Sequence, residues 1–399
     1  MTTELKNNTI LKFLLLLIFI TNSVVAQLPK ATIKATLGKG VQFTSADSLF
    51  TLAISGRVQS LYEAKHIINN NTTGADFILR RCRLNLQGNA LHTKISYRVQ
   101  LSFALNDINA GNSKVQNNLI LRDAMLFYTL NNKLRLGFGQ TKLPGNRQRQ
   151  VSSGSLQLVE RSIVNSNFTL DRDKGVWLFY NTKINKTIFK TTLAVSSGEG
   201  RIISNKNGKL CYTSRIEILP FGNFTNNGDY VEAAVEPQNK PKLAVAAVFS
   251  KNYNATRTMG QLGEYLFNDT TANITYFGGD VLFKFKGFSI AAELYKRNAN
   301  TGIFTNTTNT TQKNFVIAGT GLLLQTGYML TPKNEIAARY AQILPSSNLT
   351  PLIKKQQEFT LGFSHYFNNH NLKIQTEISK FINGINKMLV LRVSGVVSF

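Results

Sequence analysis

The chain has 399 residues, of which 43% are hydrophobic, so it is long enough for one large domain and too apolar for a disordered polar protein. Lysine and arginine number 46 against 21 aspartate and glutamate residues, which gives a net charge of +25. This balance predicts an anionic partner, which could be nucleic acid, an acidic lipid surface or small anionic solutes.

The first predicted element is a cleaved signal peptide over residues 1–26. Its basic start is followed by an apolar run at residues 13–20, which is too short to span about 30 Å of hydrocarbon. The small residues before the predicted cleavage between Ala26 and Gln27 are typical of a signal peptidase site. Export argues against nucleic acid as the partner. We expect residues 27–48 to form a short N-terminal segment on the periplasmic side.

From residue 49 onward the chain has the side-chain period of β-strands. Apolar side chains occupy every odd position from 95 to 105, and polar ones occupy most of the even positions. Segment after segment repeats this pattern with aromatic residues on the apolar face. We therefore predict an all-β fold, a transmembrane antiparallel β-barrel over residues 49–399 with about sixteen strands. The predicted strands start near residues 49, 76, 94, 118, 133, 174, 187, 211, 241, 274, 288, 314, 334, 357, 371 and 387.

The connections between these strands alternate between short turns and long loops, as in outer-membrane barrels. Residues 65–76 and 107–117 are predicted as outer loops, and the third outer loop, residues 143–173, is the longest regular connection. Residues 220–241 break the pattern, because this connection is long where a short turn is expected.

The predicted last strand alternates apolar and polar residues up to Phe399. An alternating strand that closes on phenylalanine resembles the assembly signal of outer-membrane proteins. Together with the signal peptide, it predicts the outer membrane of a Gram-negative bacterium, where lipids and the barrel assembly machinery are the expected partners.

No enzyme motif stands out in the sequence. The four histidines lack metal-ligand spacing, and the sequence contains no nucleophile elbow, phosphate-binding glycine loop or dinucleotide fingerprint. We expect no catalytic residue, no metal site and no cofactor.

The polar faces of the strands carry a row of cations. In a narrow tube, cations that no acid neutralises raise the local anion concentration. Arginines of the third outer loop could extend this row, because the planar guanidinium fits phosphate with two hydrogen bonds. The alternative for the row is solvated charge without selectivity, and the alternative for the loop is a cover over the barrel mouth. The candidate residues of the anion pathway are Arg57, Arg81, Arg83, Arg98, Arg135, Arg147, Arg149, Arg161 and Arg172.

The third outer loop also carries a family resemblance. Gly139-Gln140-Thr141-Lys142-Leu143-Pro144, Glu160-Arg161-Ser162 and Arg172-Asp173-Lys174-Gly175 resemble the phosphate-selective porin O and P family. The opening Ile54-Ser55-Gly56-Arg57-Val58-Gln59 and the run Arg80-Arg81-Cys82-Arg83 are also similar to it. The resemblance implies a sixteen-stranded, usually trimeric porin whose long loops constrict a basic pore.

We therefore expect a porin, a passive diffusion channel that favours small anions such as phosphate. Two alternatives stay open at this point. One is a general diffusion porin of weak selectivity, and the other is a structural or adhesive surface barrel with a plugged lumen.

Overall fold

The computed structural model describes residues 31–91, 93–108, 120–201, 208–300 and 303–399. The predicted signal peptide and its cleavage site lie outside these residues. The described strands are β1 Thr32–Thr36, β2 Gly40–Thr44, β3 Phe50–Ile67, β4 Thr72–Ala90, β5 Ile95–Ser102, β6 Leu121–Thr129, β7 Leu134–Lys142, β8 Arg172–Ile184, β9 Thr187–Ser196, β10 Cys211–Leu219, β11 Lys242–Ala255, β12 Ala272–Phe285, β13 Phe288–Ala299, β14 Ile303–Thr305, β15 Lys313–Phe315, β16 Gly319–Thr331, β17 Asn334–Pro345, β18 Gln356–Asn368, β19 Leu372–Asn383 and β20 Asn386–Ser398.

Short helices lie only in the connections of the described chain. Three are α-helical, α1 Leu105–Ile108, α2 Arg147–Gln150 and α3 Ile163–Phe168. The 3-10 helices are Ile68–Asn70, Thr225–Tyr230, Phe267–Asp269 and Ser347–Leu349. Among the described residues, no helix is both long enough and apolar enough to cross a membrane.

Eighteen strands form one antiparallel sheet, and sixteen of them close into a barrel. Each barrel strand pairs with the next along the chain, with β13 pairing to β16, and β20 pairs with β3 to complete the ring. The remaining two strands, β1 and β2, form a hairpin that extends the wall beside the start of β3. The sixteen-stranded antiparallel barrel predicted from the period of two is confirmed.

The barrel wall is apolar outside and polar inside. On β19, Ile374 and Ile378 are 47% and 50% exposed on the outer face, whereas Lys373, Gln375 and Glu377 are buried in the lumen. Closure gives every strand a neighbour on both sides, so the wall has no open edge in hydrocarbon. Phe399 continues the outer face, and its backbone exchanges two hydrogen bonds with Gly56 at 2.6 and 2.9 Å.

The two ends of the barrel differ in their connections. We call the end that carries Phe399 and the β1–β2 hairpin the turn end, and the opposite end the loop end. Short connections dominate the turn end, which matches the periplasmic side of outer-membrane barrels. The exception is the long connection between β10 and β11, which enters the lumen.

Two details differ from the sequence prediction. The predicted loop over residues 65–76 is shorter, because β3 and β4 continue until only residues 68–71 connect them. The predicted strand over residues 94–106 ends at Ser102, where the Ser102 hydroxyl donates to the Asp107 carboxylate at 2.6 Å and the chain turns into α1.

Candidate anion pathway

The connection between β7 and β8, residues 143–171, folds into the barrel. Its side chains Leu143, Val164 and Phe168 are fully buried and pack in one apolar cluster with Trp177 and Tyr295 of the wall. Burial of each large apolar side chain contributes about 1.5–3 kcal/mol relative to exposure. The loop is therefore part of the packed interior, and it narrows the lumen.

Carboxylates fix the backbone of this loop. Four of its N–H groups donate to buried glutamates, three from the wall and one from the connection between β10 and β11. The four bonds are Gln148 N to Glu293 at 2.6 Å, Gln157 N to Glu232 at 3.0 Å, Val159 N to Glu377 at 2.8 Å and Ile163 N to Glu358 at 2.8 Å. Since a hydrogen bond to a charged group contributes about 1.5–3 kcal/mol, these contacts hold the loop in one position.

An ion-pair cluster anchors the start of the loop. The Arg147 guanidinium lies 2.7 Å from the Asp280 carboxylate and 3.4 Å from that of Glu217. Arg215 also donates to Asp280, at 2.7 Å, so two arginines balance two carboxylates in the cluster. Since all four side chains are buried, removing one partner would leave an uncompensated charge in the interior.

The long connection between β10 and β11, residues 220–241, enters the lumen from the turn end. The Lys284 ammonium donates to three of its carbonyl oxygens, those of Gly228, Val231 and Ala233, at 2.6–2.9 Å. Its Asp229 also pairs with Lys190 at 2.5 Å. These contacts of the inserted segment, and those of the β7–β8 loop with wall glutamates, lie along the side of the lumen formed by β9–β19.

A cavity of about 200 Å³ remains on the opposite side, against β4–β8. We call it the basic cavity. It has room for several water molecules or a small oxyanion, since one water needs only about 10–15 Å³ of such space. Among the described residues, no carboxylate lines it. Its lining residues are Arg83, Arg98, Gln100, Arg122, Lys142, Arg149, Gln150, Ser152, Ser153, Arg161, Arg172 and Tyr230.

Seven of these lining residues are cations, and neighbouring carboxylates neutralise only some of them. Three acids pair with cavity cations among the described residues, which leaves an excess of four positive charges. The first of these acids, Asp107, pairs with Arg83 and Arg122. Asp123 pairs with Arg172, and Asp171 pairs with Arg149.

The guanidinium groups around the cavity lie close enough to repel one another. Within the described ranges, Arg161 donates only to the carbonyl oxygens of Gln148 and Val151, both at 2.8 Å. Burial, together with the charge of Arg81, lowers the pKa of Arg161 to about 9. The Nε groups of Arg122 and Arg149 are buried and have no hydrogen-bond partner among the described residues. An anion in the basic cavity would accept such bonds and relieve the repulsion.

Comparison with known proteins identifies the family. The model of the family "Phosphate-selective porin O and P" matches residues 52–382. The chain belongs to this family. It is therefore an outer-membrane porin of the Gram-negative type and not an enzyme.

Single relatives of this porin are distant. An uncharacterized protein of Aquifex aeolicus (strain VF5) is 24% identical over 340 residues, covering 76% of this chain and 75% of the relative. Two solved structures share the fold at 10% identity and cover 88% of this chain and 100% of their own. They are a loop L8 deletion mutant of OmpT from Vibrio cholerae, with a TM-score of 0.56, and an anion-selective porin from Comamonas acidovorans, with a TM-score of 0.54.

The structure brings five of the nine predicted pathway arginines to the basic cavity, namely Arg83, Arg98, Arg149, Arg161 and Arg172. Three others lie elsewhere in the lumen. Arg57 donates to Ser152 and Ser153 at the edge of the cavity, Arg81 pairs with Glu160 at 3.0 Å, and Arg135 lies closer to the turn end.

Arg147 is the ninth predicted residue, and its position in the buried cluster with Asp280 gives it an anchoring role. In the same loop, burial favours the neutral form of the Glu160 carboxyl. The positive charges of Arg81 and Arg80 outweigh this effect and hold the pKa of Glu160 well below its usual range. Acids from the connections thus neutralise some arginines that have no acidic neighbour on their own strand.

Sequence reasoning missed Arg122, Lys142 and Tyr230 as lining residues. Arg122 is the extra residue of a β-bulge, where Gln100 pairs with Asp123 and Leu101 pairs with Leu121. A bulge interrupts the period of two, so adjacent residues such as Arg122 and Asp123 both face inward. Tyr230 reaches the basic cavity from the inserted segment, whose position no local pattern predicts.

Proposed function

We propose that this porin is a passive channel that conducts small anions and favours oxyanions such as phosphate. The carrying observation is the basic cavity, which among the described residues has seven cationic lining residues, three neighbouring carboxylates and no carboxylate in its lining. At an effective dielectric constant of about 20, one cation about 4 Å from an anion contributes about 4 kcal/mol before desolvation. Cations are excluded for the same reason, because the field that attracts an anion repels them.

The type of cation favours phosphate over chloride. Six of the seven cationic side chains are arginines, whose planar forks present paired N–H donors. A tetrahedral oxyanion can accept from several of these donors at once, whereas chloride cannot use their bidentate geometry. Ser152 and Ser153 add hydroxyl groups at the same surface.

The test is phosphate block of chloride current through purified porin in a planar bilayer. We expect chloride current to fall in a saturable manner as phosphate is added, because phosphate occupies the basic cavity for longer than chloride. Nitrate at the same concentration should block much less. A linear, unsaturable response to phosphate would show that the cavity has no preference for it.

A second candidate function, a structural barrel with a plugged lumen, is favoured by the packed half of the lumen. In that half, the β7–β8 loop and the inserted segment form buried contacts with the wall strands. The same recording separates the two candidates, since a plugged barrel gives no unitary conductance in chloride.

A further inference from the structure

A second and larger cavity opens at the turn end of the barrel. It has a volume of about 530 Å³ and lies under the β1–β2 hairpin, between the starts of β3, β5 and β7. We call it the vestibule. The residues that matter for its chemistry are Gln42, Gln87, Ser96, Arg98, Phe127 and Arg135. Arg98 also lines the basic cavity, so the two spaces adjoin at this side chain.

Arg135 is held in a fixed position in the vestibule. Its guanidinium carbon lies 3.7 Å from the centroid of the Phe127 ring, which itself packs on Phe179 at 6.1 Å. Its Nη2 donates to the Ser96 hydroxyl at 2.7 Å. Contact with an aromatic face orients a guanidinium, and a planar fork oriented in this way fits a carboxylate.

Among the described residues, neither arginine of the vestibule forms an ion pair with an acid. Arg135 and Arg98 form no salt bridge within the described ranges of the chain, and Arg98 donates only to the Asn85 amide oxygen, at 3.3 Å. In the part of the chain that the structure describes, no carboxylate lines the vestibule. The space therefore offers positive charge, amide groups and an aromatic surface side by side.

The size of the vestibule distinguishes its ligand from that of the basic cavity. Sites for small organic molecules usually measure about 300–1,000 Å³, a range that includes the vestibule and excludes the basic cavity. Building on the proposed anion channel, we propose that the vestibule binds small organic carboxylates with an aromatic or apolar body. The carboxylate meets Arg135 and Arg98, and the body packs beside Phe127. Because the basic cavity is smaller, such anions block the channel from the turn end.

Benzoate is the probe that tests this site. It is added to single channels of the full-length porin in a potassium chloride bilayer, first on one side and then on the other. We expect saturable block from one side only, because the vestibule opens at one end. Benzyl alcohol, which keeps the ring and lacks the charge, should block far less. Equal block from both sides, or equal block by the alcohol, would overturn the inference.

Variants assign the block to the vestibule. R135Q should raise the half-blocking benzoate concentration about tenfold, the equivalent of about 1.4 kcal/mol, and F127L should raise it less. Heat-modifiable mobility shows whether each variant forms the barrel, and if R135Q does not, F127L carries the assignment, because Phe127 lines the vestibule and not the basic cavity. Unchanged block in a folded variant refutes the assignment.

A matched variant in the basic cavity separates this inference from the proposed function. R149Q should weaken anion selectivity and leave the half-blocking benzoate concentration within about twofold of wild type. An anion-selective channel without one-sided benzoate block disproves the vestibule alone. One-sided benzoate block in a channel without anion selectivity disproves the proposed function alone.

Discussion

Arg161 offers the sharpest perturbation of the basic cavity. It comes from the β7–β8 loop, forms no salt bridge among the described residues and donates only to two carbonyl oxygens of its own loop. R161Q removes the charge, whereas R161K keeps the charge and loses the planar fork. The pair of variants therefore separates electrostatic attraction from bidentate recognition.

The expected magnitude follows from the size of the cavity. In a space of about 200 Å³, an anion lies roughly 4–6 Å from each lining cation, for a Coulomb energy of about 3–4 kcal/mol at an effective dielectric constant of about 20. Water and the neighbouring carboxylates screen this interaction, so we retain a tenth to a quarter of it, about 0.3–1 kcal/mol. R161Q should therefore reduce anion occupancy about two- to fivefold.

Reversal potential and phosphate block of chloride current measure the two effects at pH 7, where Arg161 is protonated. R161Q should move the reversal potential toward the equilibrium potential of potassium and weaken phosphate block of the chloride current. R161K should keep the reversal potential of wild type and weaken only the phosphate block. Lys387, exposed near the loop end, supplies the control variant K387Q, which removes one charge far from the cavity. If R161Q behaves like K387Q, the cavity charges are solvated and set no selectivity.

Three further predictions concern the anchor, assembly and export. D280N leaves Arg147 buried without its nearest partner, so we expect a loss of about 3–5 kcal/mol in unfolding free energy and noisier, larger currents, measured by denaturant titration and single-channel recording. An unchanged denaturation midpoint would contradict the anchoring role. Phe399→Glu puts a charge on the outer face beside Gly56 and should lower the yield of heat-modifiable barrel, without altering the conductance of channels that insert. A normal yield of heat-modifiable barrel would contradict the role of Phe399 in assembly. N-terminal sequencing of the outer-membrane fraction should begin at Gln27, and an intact Met1 would disprove the predicted cleavage.

The strands could be predicted because their side chains alternate between lipid and lumen. That requirement acts on each strand separately, so Ile374 and Lys373 reveal their faces without any knowledge of their neighbours. The same rule fails at two β-bulges. Arg80 and Arg122 are each the extra residue in a strand pair, and both lie where simple alternation does not place them.

The interior of the barrel could not be predicted in the same way, because its contacts join residues far apart in sequence. Glu293 and Glu377 could be placed in the lumen from their strands, but their bonds to Gln148 and Val159 depend on how the loop folds. The length of residues 220–241 signalled an unusual connection. Lys284 donates to three carbonyl oxygens of this connection, and it lies on a strand with no local sign of this contact.

The measurement that tests the central claim most directly is the reversal potential of the wild-type porin in a tenfold potassium chloride gradient. The excess of positive charge around the basic cavity predicts a potential close to the equilibrium potential of chloride. A potential near zero, or one close to that of potassium, would contradict the claim that these arginines select anions.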